Sequence, residues 1–315
     1  MDGTPVIAVI GVGSIGVAWA VCYAGAGHQV RLYDPDPQRL SAARDEICAR
    51  LEALHAAGLC QLTPAAAMSA ITATPDLAAA VEGADLVQEC APENLELKRT
   101  LFAEIAQLAG PNAVLASSTS FLPASDFASA VAGRERCLVL HPGNPPFLLR
   151  IVEVVPAPFT GEQTIAASLA LLQSAGLTPI RLNREIGGFV FNRLQGALLR
   201  EAYCLVRDGV AAPEAIDAIV RDGLALRWSV VGPFESADLN TRGGIAAHAE
   251  RMGPHYSAMA LERGGDDPWA SAEAVAAVTA ARRAGLPLAD WAERVAWRDR
   301  QIAALLAARK NRGGS

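Results

Sequence analysis

Val6-Ile7-Ala8-Val9-Ile10-Gly11-Val12-Gly13-Ser14-Ile15-Gly16-Val17-Ala18-Trp19-Ala20 decides the fold. A β-branched run too short for a helix ends in three spaced glycines, and an apolar, alanine-rich helix is predicted to follow. Strand, tight turn and helix in that order are what a dinucleotide site requires. Gly11 permits the turn, Gly13 lets the backbone approach a pyrophosphate, and Gly16 lets the helix pack closely on the strand. Ser14, Ile15 and Gly16 open the helix, whose unpaired N–H groups and positive dipole end suit phosphates. The next strand, His28 to Asp34, is stopped by Pro35. Asp34 stands about 20 residues past the glycines, where an acid bonds the adenosine ribose hydroxyls. Its charge would repel a 2′-phosphate, so the pattern predicts NAD rather than NADP, with Arg31 and Arg39 as nearby cations.

Working outward, 315 residues suit two domains better than one small core. With 51% hydrophobic and 19% charged residues the chain is globular rather than disordered. A net charge of −6 gives no basic footprint for nucleic acid or for an anionic membrane. The six cysteines show no Cys-x-x-Cys or Cys/His spacing. They read as reduced thiols of a cytoplasmic protein, with no metal site expected. Met1-Asp2-Gly3-Thr4-Pro5 does not resemble a signal peptide. Val6 to Gly27 is long and apolar, but its five glycines and strand-turn-helix pattern argue against a membrane span.

Along the chain, Leu40, Ala43, Ile47, Leu51 and Leu54 mark an amphipathic helix, and Thr63-Pro64 caps another. Strands are predicted at Ile71–Thr74, Asp85–Cys90, Ala113–Ser117, Cys137–His141 and Leu149–Val155, with a helix carrying Leu97, Leu101, Ile105 and Leu108 on one face. The alternation predicts an α/β fold with a doubly wound, mostly parallel Rossmann-type sheet. From Gly187-Gly188 onward the apolar spacing is helical, in segments 189–206, 212–219, 232–252, 271–284 and 289–309. The expected division is therefore a dinucleotide-binding domain over 1–186 and an all-helical substrate and dimerisation domain over 187–315. The helical core is expected to need a partner subunit to cover it, giving a homodimer.

Ligands bind outside the carboxyl ends of the strands in an open α/β sheet. Ser120 follows one strand there, His141 ends the next, and Glu153 lies in the strand after it, joined to His141 by a proline-rich loop. A carboxylate beside an imidazole fixes its tautomer, which suits a base that takes a hydroxyl proton. A satisfied core histidine and a buried acid paired with an arginine are equally open on spacing alone. Asn192 opens the first helix after the glycine pair, where it either reaches the cleft or sits on the helix surface.

The glycine turn, Pro92-Glu93-Asn94-Leu95-Glu96-Leu97-Lys98, Ser117-Ser118-Thr119-Ser120, His141-Pro142-Gly143-Asn144-Pro145 and Gly188-Phe189-Val190-Phe191-Asn192-Arg193 resemble the 3-hydroxyacyl-CoA dehydrogenase family in order and spacing. Val87-Gln88-Glu89-Cys90, Arg227-Trp228-Ser229-Val230-Val231-Gly232-Pro233-Phe234-Glu235, Leu239-Asn240 and Trp297-Arg298-Asp299 resemble its lambda-crystallin branch, which carries L-gulonate 3-dehydrogenase activity. The resemblance covers nearly the whole chain. It implies NAD-dependent oxidation of the 3-hydroxyl of a small hydroxy acid, with L-gulonate as the first expectation. A 3-hydroxyacyl thioester, or a structural crystallin-like role, stands as the alternative. His141 would be the general base and Glu153 its partner. Ser120 and Asn192 would bond the reacting oxygen, and Glu93 and Lys98 would lie beside the nicotinamide. Arg227 stands where the acyl-CoA enzymes carry small uncharged residues, which suits a substrate carboxylate; a surface or interface arginine paired with Asp222 or Glu235 is the other reading. Gly143 replaces a bulkier family residue, which is expected to loosen the loop beside His141. Phe121 replaces a smaller one.

Overall fold

The computed structural model describes residues 4–265, 267–268 and 271–312, so the reading of Met1 to Gly3 lies outside the described residues. By internal contacts the chain forms two compact units, one of residues 1–193 with 295–315 and the other of residues 194–294.

The first unit alternates β1 (Val6–Ile10), α1 (Ser14–Gly25), β2 (Gln29–Tyr33), α2 (Pro37–Ala56), α3 (Pro64–Ser69), β3 (Ile71–Thr74), α4 (Leu77–Val81), β4 (Leu86–Glu89), α5 (Leu95–Leu108), β5 (Val114–Ser117), α6 (Ala124–Ala128), β6 (Cys137–Pro142), β7 (Ile151–Pro156), α7 (Glu162–Ser174) and β8 (Thr178–Arg181). The strands form one eight-stranded sheet in the order β3-β2-β1-β4-β5-β6-β7-β8. Every pairing is parallel except β6 with β7. The order reverses between β1 and β4, and that switch point is where such a sheet opens a ligand crevice.

Ile7 and Val9 join the apolar core on one face of the sheet, and Ala8 and Ile10 join the core on the other. Covered on both faces, β1 has no use for polar alternation, which is why it reads as an unbroken apolar run. The helix α1 is buried from Gly16 to Ala24 because it is apolar all round. Asp36 and Thr63 accept N–H bonds at the starts of α2 and α3, each followed by proline. Ile302, Ala303 and Leu306, near the C-terminus, pack against the first core.

The helical segments are α8 (Phe189–Arg207), α9 (Pro213–Ala218), a π turn over Ile219–Leu224, α10 (Ala225–Trp228), α11 (Pro233–Leu239), α12 (Gly244–Arg263), α13 (Ala272–Gly285) and α14 (Trp291–Arg312). The single helix expected over 232–252 is instead two, parted at Gly243 (φ 97°) and Gly244 (φ 73°). Those backbone values favour glycine and end a right-handed helix. The face expected on α5 is also rotated. Lys98, Phe102 and Ile105 are buried, while Leu97 and Leu108 are exposed. The rotation turns Lys98 inward to a buried carboxylate described below. Among the described residues no helix is long and apolar enough to cross a membrane, and all six cysteines are free thiols.

Candidate active site

Two recesses open at the carboxyl ends of the central strands. One, of about 620 Å³, is lined by Gly11, Gly13, Ser14, Ile15, Asp34 and Arg39 among others. The other, of about 260 Å³, is lined by Glu93, Lys98, Ser118, Thr119, Ser120 and Phe121. Ile15, Cys90 and Ala91 wall both. The glycines explain the shape of the larger recess. A Cβ on Gly16 would collide with the Gly11 carbonyl oxygen, whereas one on Gly13 would meet nothing within 4 Å. The loop is thus tight where helix meets strand and open where a pyrophosphate would come. Asp34 is tied into it, accepting from Val12 N at 3.1 Å and from Asp36 N at 3.1 Å. Of the two cations near Asp34, Arg39 is engaged by Glu46 at 2.6 Å. Burial pushes the Cys90 thiol up to about 12, so Cys90 forms a wall rather than a nucleophile.

Behind the smaller recess lies a cluster that the sequence did not single out. Lys98 Nζ reaches Glu89 Oε1 at 2.8 Å and Oε2 at 3.0 Å, and both side chains are buried. Glu89 also accepts from Ala91 N at 2.7 Å and from the Ser117 hydroxyl. This fills its lone pairs, as a buried carboxylate requires. Glu93, expected with Lys98 beside the nicotinamide, stands 3.7 Å from Nζ and is partly exposed. Its Oε1 is held by the Thr119 hydroxyl and by Phe121 N at 3.3 Å. Ser118 Oγ accepts from Trp19 Nε1 at 2.9 Å and Gln88 Nε2 at 2.7 Å, which locks the turn leading to Ser120. A polar residue inside an apolar strand, such as Gln88 or Glu89, was the available signal for this network.

His141 and Glu153 are directly paired across the antiparallel β6–β7 ladder. Cross-strand partners share a face of the sheet, and His141 Nδ1 lies 2.8 Å from Glu153 Oε2 with both side chains buried. The other carboxylate oxygen accepts from Val190 N at 2.8 Å and Phe191 N at 3.0 Å, at the first turn of α8. Burial pushes the Glu153 carboxyl up, but the bonds from His141, Phe191 and Val190 outweigh it and hold the group below its ordinary value. An ionised carboxylate only accepts, so Nδ1 carries a proton, and the lone pair of the neutral form of the ring is on Nε2. The rings of Phe189 and Phe191 lie 5.3 Å and 6.3 Å from the imidazole. Phe189 is the one non-glycine residue with positive φ (50°) among those described, a strained start that aims the following N–H groups at Glu153.

Asn192, three residues on from Phe189, donates from Nδ2 to the Ser120 carbonyl oxygen at 3.0 Å. A chain of contacts thus runs from Ser120 on the recess wall through Asn192 and the start of α8 to Glu153 and His141. Gly143 does not loosen its loop as expected, because a Cβ there would press on Leu149 Cβ and O at 2.9 Å. Its N–H bonds Ile151 O at 2.9 Å, so the loop closes onto β7. Phe121 is largely exposed at the small recess. In the other compact unit, Arg227 is exposed in α10 and its guanidinium makes no hydrogen bond or ion pair among the described residues. Asp222, one candidate partner for it, pairs with Arg221 at 2.6 Å.

A dinucleotide crevice at a sheet's switch point, with a buried imidazole–carboxylate pair at the same end, defines a nicotinamide-dependent dehydrogenase. The sequence profile of the 3-hydroxyacyl-CoA dehydrogenase NAD binding domain matches residues 6–186, and that of the family's C-terminal domain matches residues 188–285. A lambda-crystallin homolog of Bos taurus is 42% identical over 231 residues, covering 73% of this chain and 72% of its own. An L-carnitine dehydrogenase of Pseudomonas aeruginosa is 39% identical over 227 residues, covering 72% and 70%. Among solved structures, an NAD+ dependent 5-formyl-3-hydroxy-2-methylpyridine 4-carboxylic acid 5-dehydrogenase superposes with a TM-score of 0.80 at 30% identity, covering 96% of this chain and 97% of its own. The chain belongs to the 3-hydroxyacyl-CoA dehydrogenase family, in its lambda-crystallin branch. It is an NAD-dependent dehydrogenase acting on a CH–OH group.

Proposed function

We propose that the chain oxidises the 3-hydroxyl of a small free hydroxy acid to the 3-keto acid, with L-gulonate the first candidate. The observation that carries the reading is the His141–Glu153 pair, 2.8 Å apart and tied to the first turn of α8. NAD+, when bound, would accept the hydride from C3. His141 Nε2 takes the hydroxyl proton, and Glu153 offsets the imidazolium charge that results. The Ser120 hydroxyl and Asn192 amide bond the reacting oxygen and hold it toward Nε2. Gly11, Gly13, Ser14, Ile15 and Gly16 receive the pyrophosphate and Asp34 the adenosine ribose, with Glu93 and Lys98 at the nicotinamide end. Arg227 pairs with the substrate carboxylate.

A free carboxylate is supported by the relatives, because L-carnitine is itself a 3-hydroxy acid without a thioester. One second reading is favoured by the near-complete overlap with the pyridine carboxylic acid dehydrogenase, namely an aromatic alcohol or aldehyde bearing a carboxylate. A panel of free 3-hydroxy acids, 3-hydroxyacyl-CoAs and aromatic hydroxymethyl acids, followed by NADH absorbance, tests the assignment. Turnover of the thioesters alone overturns it.

Cofactor preference gives a direct check. The protein is expected to favour NAD over NADP by more than about tenfold in kcat/KM, since a 2′-phosphate would meet the Asp34 carboxylate. Asp34→Ala narrows the preference by weakening NAD and tolerating NADP. Equal or better turnover of NADP by the unaltered protein refutes the role of Asp34.

The proposed organisation is a dinucleotide-binding domain over 1–186 and a helical domain over 187–315 through which two chains associate. Val230, Leu261 and Phe234, 83%, 82% and 81% exposed in the single chain, support an interface on the helical part. Light scattering at micromolar concentration is expected to read a homodimer, and a monomer would contradict this. The six free thiols support a reducing compartment such as the cytoplasm.

A further inference from the structure

The charges around the smaller recess do not cancel. Glu89 and Lys98 are 0% and 1% exposed and form a bidentate ion pair, closed further by the Ala91 carbonyl at 3.4 Å from Nζ. Glu93, with 41% of its side chain exposed, lies 3.7 Å from the same Nζ. Two carboxylates and one ammonium leave a net charge of −1, whichever carboxylate Lys98 is credited to. Glu93 and Lys98 both line the recess, but the ammonium is bonded bidentately to Glu89 behind it, so the net negative charge of the three groups remains beside the recess. Glu93 is also fixed there by the Thr119 hydroxyl and Phe121 N, so it cannot swing away into water.

We propose that Glu93 makes the site discriminate between the oxidation states of its cofactor, holding NAD+ more tightly than NADH. The inference rests on the reading that this recess takes the nicotinamide end. The two forms carry the same diphosphate and adenosine and differ in the ring, which is cationic in NAD+ and neutral in NADH. At a separation of about 6 Å and an effective dielectric of about 40, a carboxylate would favour the cation about tenfold. Lys98 would erase that preference if it were free to serve Glu93 alone, and Glu89 prevents this by occupying it. The protein thereby loosens its hold on the reduced product, which speeds release in the oxidative direction.

Direct binding tests this without turnover. The Kd values of NAD+ and NADH are measured by calorimetry at fixed ionic strength for the unaltered protein, Glu93→Gln and Glu93→Asp. The expected result is a fall of about tenfold in the ratio Kd(NADH)/Kd(NAD+) for Glu93→Gln, mostly through weaker NAD+ binding. Glu93→Asp, which keeps the charge, retains most of the ratio. An unchanged ratio in Glu93→Gln, or an equal loss for both forms, overturns the proposal. Should Glu93→Gln not fold, the unaltered protein decides, because rising salt erodes the NAD+ preference only if a charge sets it. A constant preference across salt then overturns the proposal. The ratio does not depend on which alcohol is oxidised, so a failed substrate panel leaves this result standing. Failure of both dinucleotides to bind overturns it together with the cofactor assignment.

Discussion

His141→Ala is expected to lower kcat by about 10²–10⁴-fold while leaving NADH binding nearly intact. The imidazole is the one group whose free ring nitrogen can take the hydroxyl proton, since Nδ1 is committed to Glu153 at 2.8 Å. Binding is spared because the recesses that receive the dinucleotide are walled by other residues. Glu153→Gln removes the anion and one of its two acceptor oxygens. The single amide oxygen can keep the two α8 N–H bonds, so the fold holds, but the amide NH2 then faces Nδ1 and the imidazolium formed in the reaction loses its anionic partner. A lower kcat follows, and the acidic limb of the pH–rate profile moves to lower pH because the protonated ring is less stabilised. In the unaltered enzyme Glu153 is held below its ordinary value by the bonds from His141, Phe191 and Val190, so it is ionised at neutral pH. Near-normal turnover in His141→Ala would remove the histidine from the mechanism and restore the reading of a structural, crystallin-like protein.

How far this was legible in the sequence depended on whether a residue's signal was local. The strand-glycine-helix order at Val6–Ala20 and the acid at Asp34 are short-range patterns, and β1, α1 and β2 stand where they were read. The His141–Glu153 pair was only one of several open readings, because its meaning lies in a register. Antiparallel β6–β7 pairing sets the two opposite each other, and no spacing rule fixes that register across an eight-residue loop that the structure closes. Lys98 shows the converse. Helical periodicity put Leu97 and Leu101 on the buried face, yet the Glu89 carboxylate outweighs two leucines in deciding which way α5 turns. Glu89 was read only as part of the Val87-Gln88-Glu89-Cys90 motif, because apolar strand patterning assigns no partner to one acid. Gly143 was misjudged for a similar reason, as the backbone that excludes a Cβ there comes from Leu149, six positions on.

Arg227→Met is expected to cost about ten- to hundredfold in kcat/KM with a free hydroxy acid, mostly through KM, and little with the corresponding ester or thioester. The guanidinium stands exposed in α10 with no hydrogen bond or ion pair among the described residues, and Asp222 is engaged by Arg221. An unpaired planar fork suits a bidentate carboxylate, whereas a thioester offers no charge at that point. Arg227→Lys is expected to recover part of the loss, because a point charge attracts the carboxylate without fixing its plane. Substrates that differ only in esterification isolate the term, since the hydroxyl and its chemistry at His141 are the same in both. The interaction would be made with substrate bound, in ground and transition state alike, which is why KM rather than kcat carries the effect. An equal loss on charged and neutral substrates would make Arg227 a structural or interface residue, and the thioester would then replace the free acid as the substrate to pursue.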